Sequence, residues 1–182
     1  MSLTKEVSNS MKIVSILAMV AIASGCATGA TLEGMTPTEY DAPAKHAKSV
    51  NVKVGGGQQT SSMGKSQISD EDFSAALVAS INRSQVFSKV IQGKGGDYDL
   101  SVGIIGMDQP SFGMSFTVKM EAGWTLKNVA TGETVWQKAI KSQHTATPGD
   151  AFVGTTRLRM ATEGAARNNI KQGLADISRL KL

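Results

Sequence analysis

The residue types best suited to nucleophilic or acid–base chemistry are found around His144. Ser142 lies two residues before it and Asp150 six residues after it, so a serine hydrolase would have its nucleophile, its base and an orienting carboxylate in one stretch. The G-x-S-x-G elbow that exposes such a serine is incomplete, because the nearest match, 113–116, lacks the second glycine. A histidine near a surface loop is the favoured interpretation, and a hydrolase using His144 is kept as an alternative.

The sequence gives little support to a metal site. Its two histidines, His46 and His144, are far apart, and its single cysteine is Cys26. A zinc site needs several nitrogen or sulfur ligands held close together, and no spacing such as H-x-x-x-H is present. We therefore expect no metal, no cofactor and no catalytic set of residues.

Residues 55–66 contain a partial match to a phosphate-binding loop. Gly64, Lys65 and Ser66 fit the end of G-x-x-x-x-G-K-S/T, but Gln59 occupies the position of the first glycine. The helix that follows is predicted to begin with an N-cap at Ser69 and three acidic residues, which would repel a phosphate. We expect a strand-to-helix loop and no nucleotide.

The composition is that of a globular protein that does not bind nucleic acid. The chain has 182 residues, of which 41% are hydrophobic and 19% charged, and its formal net charge is +4. The basic residues are scattered and do not form a run with interleaved aromatic residues. Nucleic-acid binding is therefore not expected.

The N-terminal segment has the pattern of a secretory signal. A lysine precedes an uncharged apolar run, 13–23, that is too short to span a bilayer comfortably. Its last residue, Ala23, is followed by Ser24 and Gly25, and then by Cys26, the only cysteine of the chain. A plain signal peptide with a chance cysteine is the alternative, and Met1 and Met11 are both candidate starts.

Residues 23–26 resemble a bacterial lipobox, with Ala23 where leucine is usual. The resemblance implies cleavage before Cys26 and attachment of lipid, including palmitate, to this residue. Ala27 follows in place of the aspartate that retains lipoproteins in the inner membrane, which favours the periplasmic face of the outer membrane. More than one acyl chain would make such an anchor stable.

Three segments are predicted: a signal peptide at 1–25, a lipidated flexible tether at 26–47, and a single α+β periplasmic domain at 48–182. The tether is rich in small residues, proline and threonine and has no sustained period. Apolar periodicity in the domain predicts strands near 50–54, 86–91, 98–107, 116–126 and 133–144, and helices near 69–84 and 150–180.

The predicted fold is a mixed, mostly antiparallel sheet of about five strands with two helices packed on one face. The first strand–helix–strand unit should be a right-handed parallel crossover, and the remaining strands should be antiparallel. Ile105 and Met107 should lie on the face opposite Ile104. On the last helix, the i, i+4 spacing predicts a Glu163–Arg167 ion pair, and the two asparagines at 168–169 should bond the backbone of a neighbouring strand edge.

The stretches VKMEAGWTL, ETVWQK and TRLRMATEGAARNNIKQGL, at 118–126, 133–138 and 156–174, resemble an uncharacterised family of small Gram-negative periplasmic lipoproteins. The architecture is similar to the penicillin-binding-protein activator lipoproteins and the N-terminal domain of TolB. The resemblance implies a fold and a location, and it supplies no catalytic residues.

We therefore expect a non-enzymatic binding or envelope-assembly accessory, held in the membrane through Cys26, whose partner is an envelope protein, peptidoglycan or a glycolipid. Candidate contact residues are Met107, Phe112 and Met114, on a loop with soft apolar side chains beside glycine and proline. Packing of the same side chains onto the core is an alternative of equal weight. The 55–66 loop and the exposed face of the last helix are further candidate contacts. A hydrolase and a lipid or glycolipid carrier are the alternatives.

Overall fold

Five strands and three helices are found in the residues that the computed structural model describes, 28–60, 65–93 and 95–182. The predicted signal peptide, the lipobox and Cys26 lie outside the described residues. In chain order the elements are α1 (Leu32–Met35), β1 (His46–Gly55), α2 (Asp70–Ser84), β2 (Phe87–Ile91), β3 (Tyr98–Asp108), β4 (Phe116–Asn128), β5 (Thr134–Ala146) and α3 (Gly154–Ser178).

The sheet has the order β2-β1-β3-β4-β5. The predicted parallel β1–α2–β2 unit is confirmed, and β3–β4 and β4–β5 are antiparallel as expected. The prediction that all remaining strands are antiparallel is wrong for one pair, because β3 lies parallel to β1. The pattern of apolar residues specifies which face of a strand is buried, and it does not specify the strand's neighbours.

The residues that lead into β3 lie against the outer face of β1. The strands β2 and β3 flank β1 on opposite sides, and both pair with its Val50 and Asn51. Gly96 and Asp97 approach β1 at this level. A Cβ at Gly96 would lie 3.1 Å from the Asn51 amide nitrogen. A side chain there would force the loop or the strand to shift by a few tenths of an ångström, so this close approach favours glycine.

A bulge in β3 changes which side chains face the core. Ile104 pairs with Ala122, and the register then shifts so that Met107 pairs with Met120. Ile105 is the extra residue and is exposed, whereas Met107 packs against the core. The prediction that Met107 lies opposite Ile104 is therefore wrong, because one inserted residue reverses the alternation.

The core lies between one face of the sheet and the helices. The predicted N-cap of α2 is confirmed, since the Ser69 side chain accepts a hydrogen bond from the Asp72 amide. The helix α3 approaches the sheet closely through small residues, and the Trp124 ring packs against Gly173. The largest fully buried side chains include Phe73, Phe87, Leu100, Trp124, Leu126 and Ile170.

The described part of the predicted tether belongs to the folded domain. Leu32–Met35 form the unpredicted helix α1. The side chain of its N-cap, Thr31, accepts a hydrogen bond from the Gly34 amide, and Met35 is fully buried. His46 begins β1, and its Nε2 lies 3.0 Å from the Ile177 carbonyl oxygen. This segment is short and mostly polar, but a buried side chain such as Met35 attaches it to the domain.

Candidate functional site

The described N-terminal residues are held at the end of the sheet where β3 finishes and β4 begins. Ser66 Oγ donates to the Thr28 carbonyl (3.0 Å), and Gln109 Nε2 donates to the Ser66 carbonyl (2.6 Å) and to Thr162 Oγ1 (2.9 Å). Gln109 is buried, so water competes little for these bonds. Thr28 is two residues after Cys26, and the chain next to that cysteine therefore meets the domain at this end.

A buried carboxylate, Glu163, fastens the same segment to α3. Its Oε1 accepts hydrogen bonds from the amide (3.0 Å) and the hydroxyl (2.9 Å) of Thr31, and Arg159 lies 3.9 Å away. The predicted Glu163–Arg167 pair is wrong, because Arg167 donates to the Gly34 carbonyl (2.6 Å) instead. Glu163 and Arg167 therefore form hydrogen bonds with the N-terminal segment, which cannot be foreseen from helix spacing.

The structure separates the three candidate contact residues. Phe112 and Met114 are 88% and 78% exposed, whereas Met107 lies within β3 and packs against the core. Phe152 and Val153, which were not predicted as contacts, are 96% and 52% exposed. An apolar pair one residue after a Pro-Gly-Asp turn is the signal in the sequence that points to them.

The outer face of the sheet carries an open groove of about 780 Å³ across β3, β4 and β5. Lys119, Glu121 and Lys141 line it, and the last two approach each other to 3.7 Å. Beside the groove, strand pairing aligns three glycines and an alanine across four strands, which leaves a track without long side chains. These aligned residues are Gly55, Gly103, Gly123 and Ala139.

The residues of the alternative hydrolase are occupied by other contacts. Ser142 Oγ donates to the Ala165 carbonyl (2.8 Å), and Asp150 accepts from the amide and hydroxyl of Thr147 (2.7 and 2.8 Å). These two bonds to Thr147 hold the pKa of Asp150 below its usual value. Among the described contacts, neither residue is hydrogen-bonded to His144, so the geometry of a catalytic triad is not assembled.

His144 is half-buried against Gly164 of α3. Burial lowers its pKa below the usual 6.5, the Arg167 charge lowers it further, and Asp150 opposes the shift. Because the folded pKa lies below the unfolded one, the stability contributed by neutral His144 is complete above about pH 6.5 and is lost as the pH falls through the folded pKa.

As the pH falls from about 7 to 5, the free energy of unfolding is therefore expected to decrease less in a His144→Asn variant than in the wild type. The measurement is urea denaturation of both proteins across this range, with the pH-dependent change compared and not the absolute stabilities. Equal losses in the two proteins would show that His144 does not control acid sensitivity.

The loop that partly matches a phosphate site is filled by the protein's own groups. The Gly57 amide donates to Asp70 Oδ1 (2.6 Å), and Lys65 Nζ donates to the Gln109 carbonyl (2.6 Å). A carboxylate thus occupies the helix N-terminus where a phosphate would lie in a nucleotide-binding protein.

The paired asparagines of α3 bond the backbone of β5, the edge strand, as predicted. Asn168 Nδ2 donates to the Gln143 carbonyl and Asn169 Nδ2 to the Ile140 carbonyl, each at 2.9 Å. Asn169 Oδ1 also accepts from Trp124 Nε1 at 2.9 Å. The two side-chain amides therefore connect α3 to the sheet, and their role is structural.

Within 28–60, 65–93 and 95–182, no helix has both the length and the apolar composition needed to cross a membrane. In the same ranges, no three His, Cys, Asp or Glu side chains are grouped so that they could hold a metal ion.

The sheet order and the helix packing define a two-layer α+β domain, and solved proteins share this fold. Protein XCC0632 from Xanthomonas campestris, of family DUF330, is similar with a TM-score of 0.55 and 9% identity, over 82% of this chain and 91% of that chain. The hypothetical protein CT253 from Chlamydia trachomatis is similar with a TM-score of 0.52 and 6% identity, over 72% and 98%. These identities show a common fold alone.

The similar structures include a protein described as a lipoprotein. The minor lipoprotein from Acinetobacter baumannii has a TM-score of 0.45 and 8% identity, over 74% of this chain and 92% of that chain. No family model and no curated protein matches the sequence. The resemblance to penicillin-binding-protein activators and to TolB stays a prediction.

Proposed function

We propose that the protein is a lipid-anchored accessory of the Gram-negative envelope, attached through Cys26 to the periplasmic face of the outer membrane. The observation that carries the proposal is the attachment of Thr28 to the domain through Ser66. Two residues of chain reach at most about 7 Å, so a lipid on Cys26 holds the folded domain close to the membrane surface. No long flexible segment then separates the lipid from the folded domain, and the domain stays close to the membrane.

The proposed role is binding without catalysis, and the outer face of the sheet is the proposed binding surface. Its groove is open and mixes apolar with charged residues, including Ile105 beside Lys119 and Glu121. Such a surface fits an envelope protein, peptidoglycan or a glycolipid better than a small molecule that needs enclosure.

Two features make the alternative functions less favourable. The Ser142 hydroxyl donates to a backbone carbonyl, so a hydrolase would have to break this bond before the serine could act as a nucleophile. A carrier needs space between sheet and helices, and fully buried Trp124, packed against Gly173, occupies that layer.

Replacing Cys26 with Ala is expected to move most of the protein from the outer-membrane fraction to the soluble fraction, because an anchor of several acyl chains accounts for nearly all of its membrane affinity. The measurement is cell fractionation combined with the intact mass of the mature protein. Ser24→Ala, which keeps a small residue in the lipobox, is the matched control and should stay in the membrane. A wild-type protein with a free Cys26 thiol would refute the anchor.

The binding role is tested in the same cells with a photo-crosslinking residue at position 143, on the groove, and a control at position 130, in the β4–β5 hairpin. Capture of one specific envelope component at position 143, reduced in the Cys26→Ala background, supports the accessory role. Equal capture at both positions would show that the groove is not the binding surface.

A further inference from the structure

Two loops at one end of the sheet expose apolar side chains that the fold does not use. Four of the seven exposed large hydrophobic residues within the described ranges are Phe112, Met114, Phe152 and Val153. We call these four residues the apolar tip. Single exposed apolar residues are common, but apolar residues exposed next to one another often mark a surface that contacts a protein or a membrane.

The two loops of the apolar tip are neighbours in space. One loop leads into β4 and the other leaves β5, and the flanking residues Phe116 and Ala146 are paired in the sheet. Both loops therefore start from the same corner of the sheet, at the open end of the β4–β5 pair and away from its hairpin turn.

Arg157 supports this corner from α3. Its Nη1 donates to the carbonyls of Ala151 (2.8 Å) and Phe152 (2.6 Å), and its guanidinium lies 5.6 Å from the centre of the Phe116 ring. The backbone that presents Phe152 is thus held in place, and its side chain remains outside the core.

The N-terminal chain reaches the domain at the same end. Thr28 is linked to Ser66, and Ser66 to Gln109, which begins the loop that carries Phe112. The opposite end of the domain contains the β4–β5 hairpin and the C-terminal end of α3. The lipid on Cys26 and the apolar tip would therefore lie on one side of the molecule.

We propose that the apolar tip inserts into the leaflet that holds the Cys26 lipid, so that the domain stands on the membrane in one orientation. This inference rests on the proposed lipid anchor. Side chains of this kind gain free energy at the boundary between headgroups and acyl chains. Insertion would place the hairpin end away from the membrane and leave the outer face of the sheet open to the periplasm.

The charge of the two loops favours lipid as the occupant. The segment 109–115 has no charged residue, and Asp150 is the only one in 147–153. Asp150 is already bonded to Thr147. The remaining polar residues of the two loops, such as Ser111 and Thr147, are uncharged, and an uncharged polar group costs less to bring among lipid headgroups than a charge does.

The test uses the lipidated full-length protein in vesicles of phosphatidylethanolamine and phosphatidylglycerol. Because Cys26 carries the lipid, a cysteine introduced by Phe152→Cys is the single free thiol and takes an environment-sensitive fluorophore. Ala130→Cys, in the hairpin at the opposite end, is the control. We expect quenching by spin-labelled lipids to be at least about threefold stronger at position 152 than at position 130.

A second set of variants separates insertion from the effect of the label itself. With the fluorophore on Ser111→Cys, changing the four tip residues to Ser should abolish its quenching while the lipid keeps the protein on the vesicles. Val129→Ser with Val135→Ser removes exposed apolar residues elsewhere and should change nothing.

The outcomes distinguish the two proposals. A protein without acyl chains on Cys26 would overturn the anchor and the insertion together. A protein retained on vesicles whose position 152 is quenched no more than position 130 would overturn the insertion alone. Shielding of position 152 in cells but not in vesicles would assign the apolar tip to a protein partner and also overturn insertion.

Discussion

Replacing Asn169 with Ala is expected to lower the free energy of unfolding by about 3–5 kcal/mol. Asn169 is fully buried, and its amide joins Trp124 Nε1 (2.9 Å), the Ile140 carbonyl (2.9 Å) and Ser142 Oγ (3.2 Å). Removing the amide leaves an indole N–H without its acceptor in the core. Each buried polar group left unpaired costs about 1–3 kcal/mol, and the small cavity adds to this.

The neighbouring residue provides the control for this experiment. Asn168 is exposed and donates one hydrogen bond, to the Gln143 carbonyl, so Asn168→Ala should cost less than about 1 kcal/mol. Both variants are measured by chemical denaturation at one pH. If the two losses were equal, the buried network would not be the main link between α3 and the sheet.

Gly173→Val is expected to destabilise the domain by about 3 kcal/mol, through overpacking and not through helix propensity. A Cβ at Gly173 would lie 2.6 Å from the Trp124 ring. That ring cannot swing away cheaply, because it is fully buried and its N–H is bonded to Asn169. The helix must therefore lift from the sheet or the core must repack.

Gln172→Val, one residue earlier on the exposed side of α3, introduces the same β-branched residue without the contact. Thermal and chemical unfolding of both variants should show a loss of less than about 1 kcal/mol for Gln172→Val. Helix propensity favours valine over glycine, so the absence of a loss in Gly173→Val, or an equally large loss in Gln172→Val, would refute the steric explanation.

Much of the fold follows from local patterns. The alternation from Phe116 to Leu126 is the burial pattern of β4, and Ser69 before three acidic residues marks the start of α2. These signals are readable because they depend only on period and on end groups. The position of β3 beside β1 and the bulge at Ile105 depend on contacts between distant segments, and no local pattern specifies them.

The candidate site was predictable to a smaller extent. Soft apolar residues beside glycine and proline indicate a contact site at Phe112 and Met114, and both side chains are exposed in the structure. Met107 was misplaced because one bulge residue reversed the expected face. The hydrogen-bond partners of Glu163 and Arg167 are residues more than a hundred positions away, and the i, i+4 neighbour that approaches Glu163 is Arg159. Helix spacing alone therefore pointed to the wrong pair.

The N-terminal and C-terminal parts of the described chain contact each other, which affects how fast the protein folds. Thr31 bonds Glu163, His46 contacts Ile177 and Asp41 pairs with Arg179, at sequence separations of 132, 131 and 138 residues. Contacts this distant slow folding, because a large loop must close before any of them forms. During synthesis the apolar face of β4 therefore stays uncovered until α3 has been made. The domain completes its fold late, and a chain truncated before α3 would expose this face and tend to aggregate.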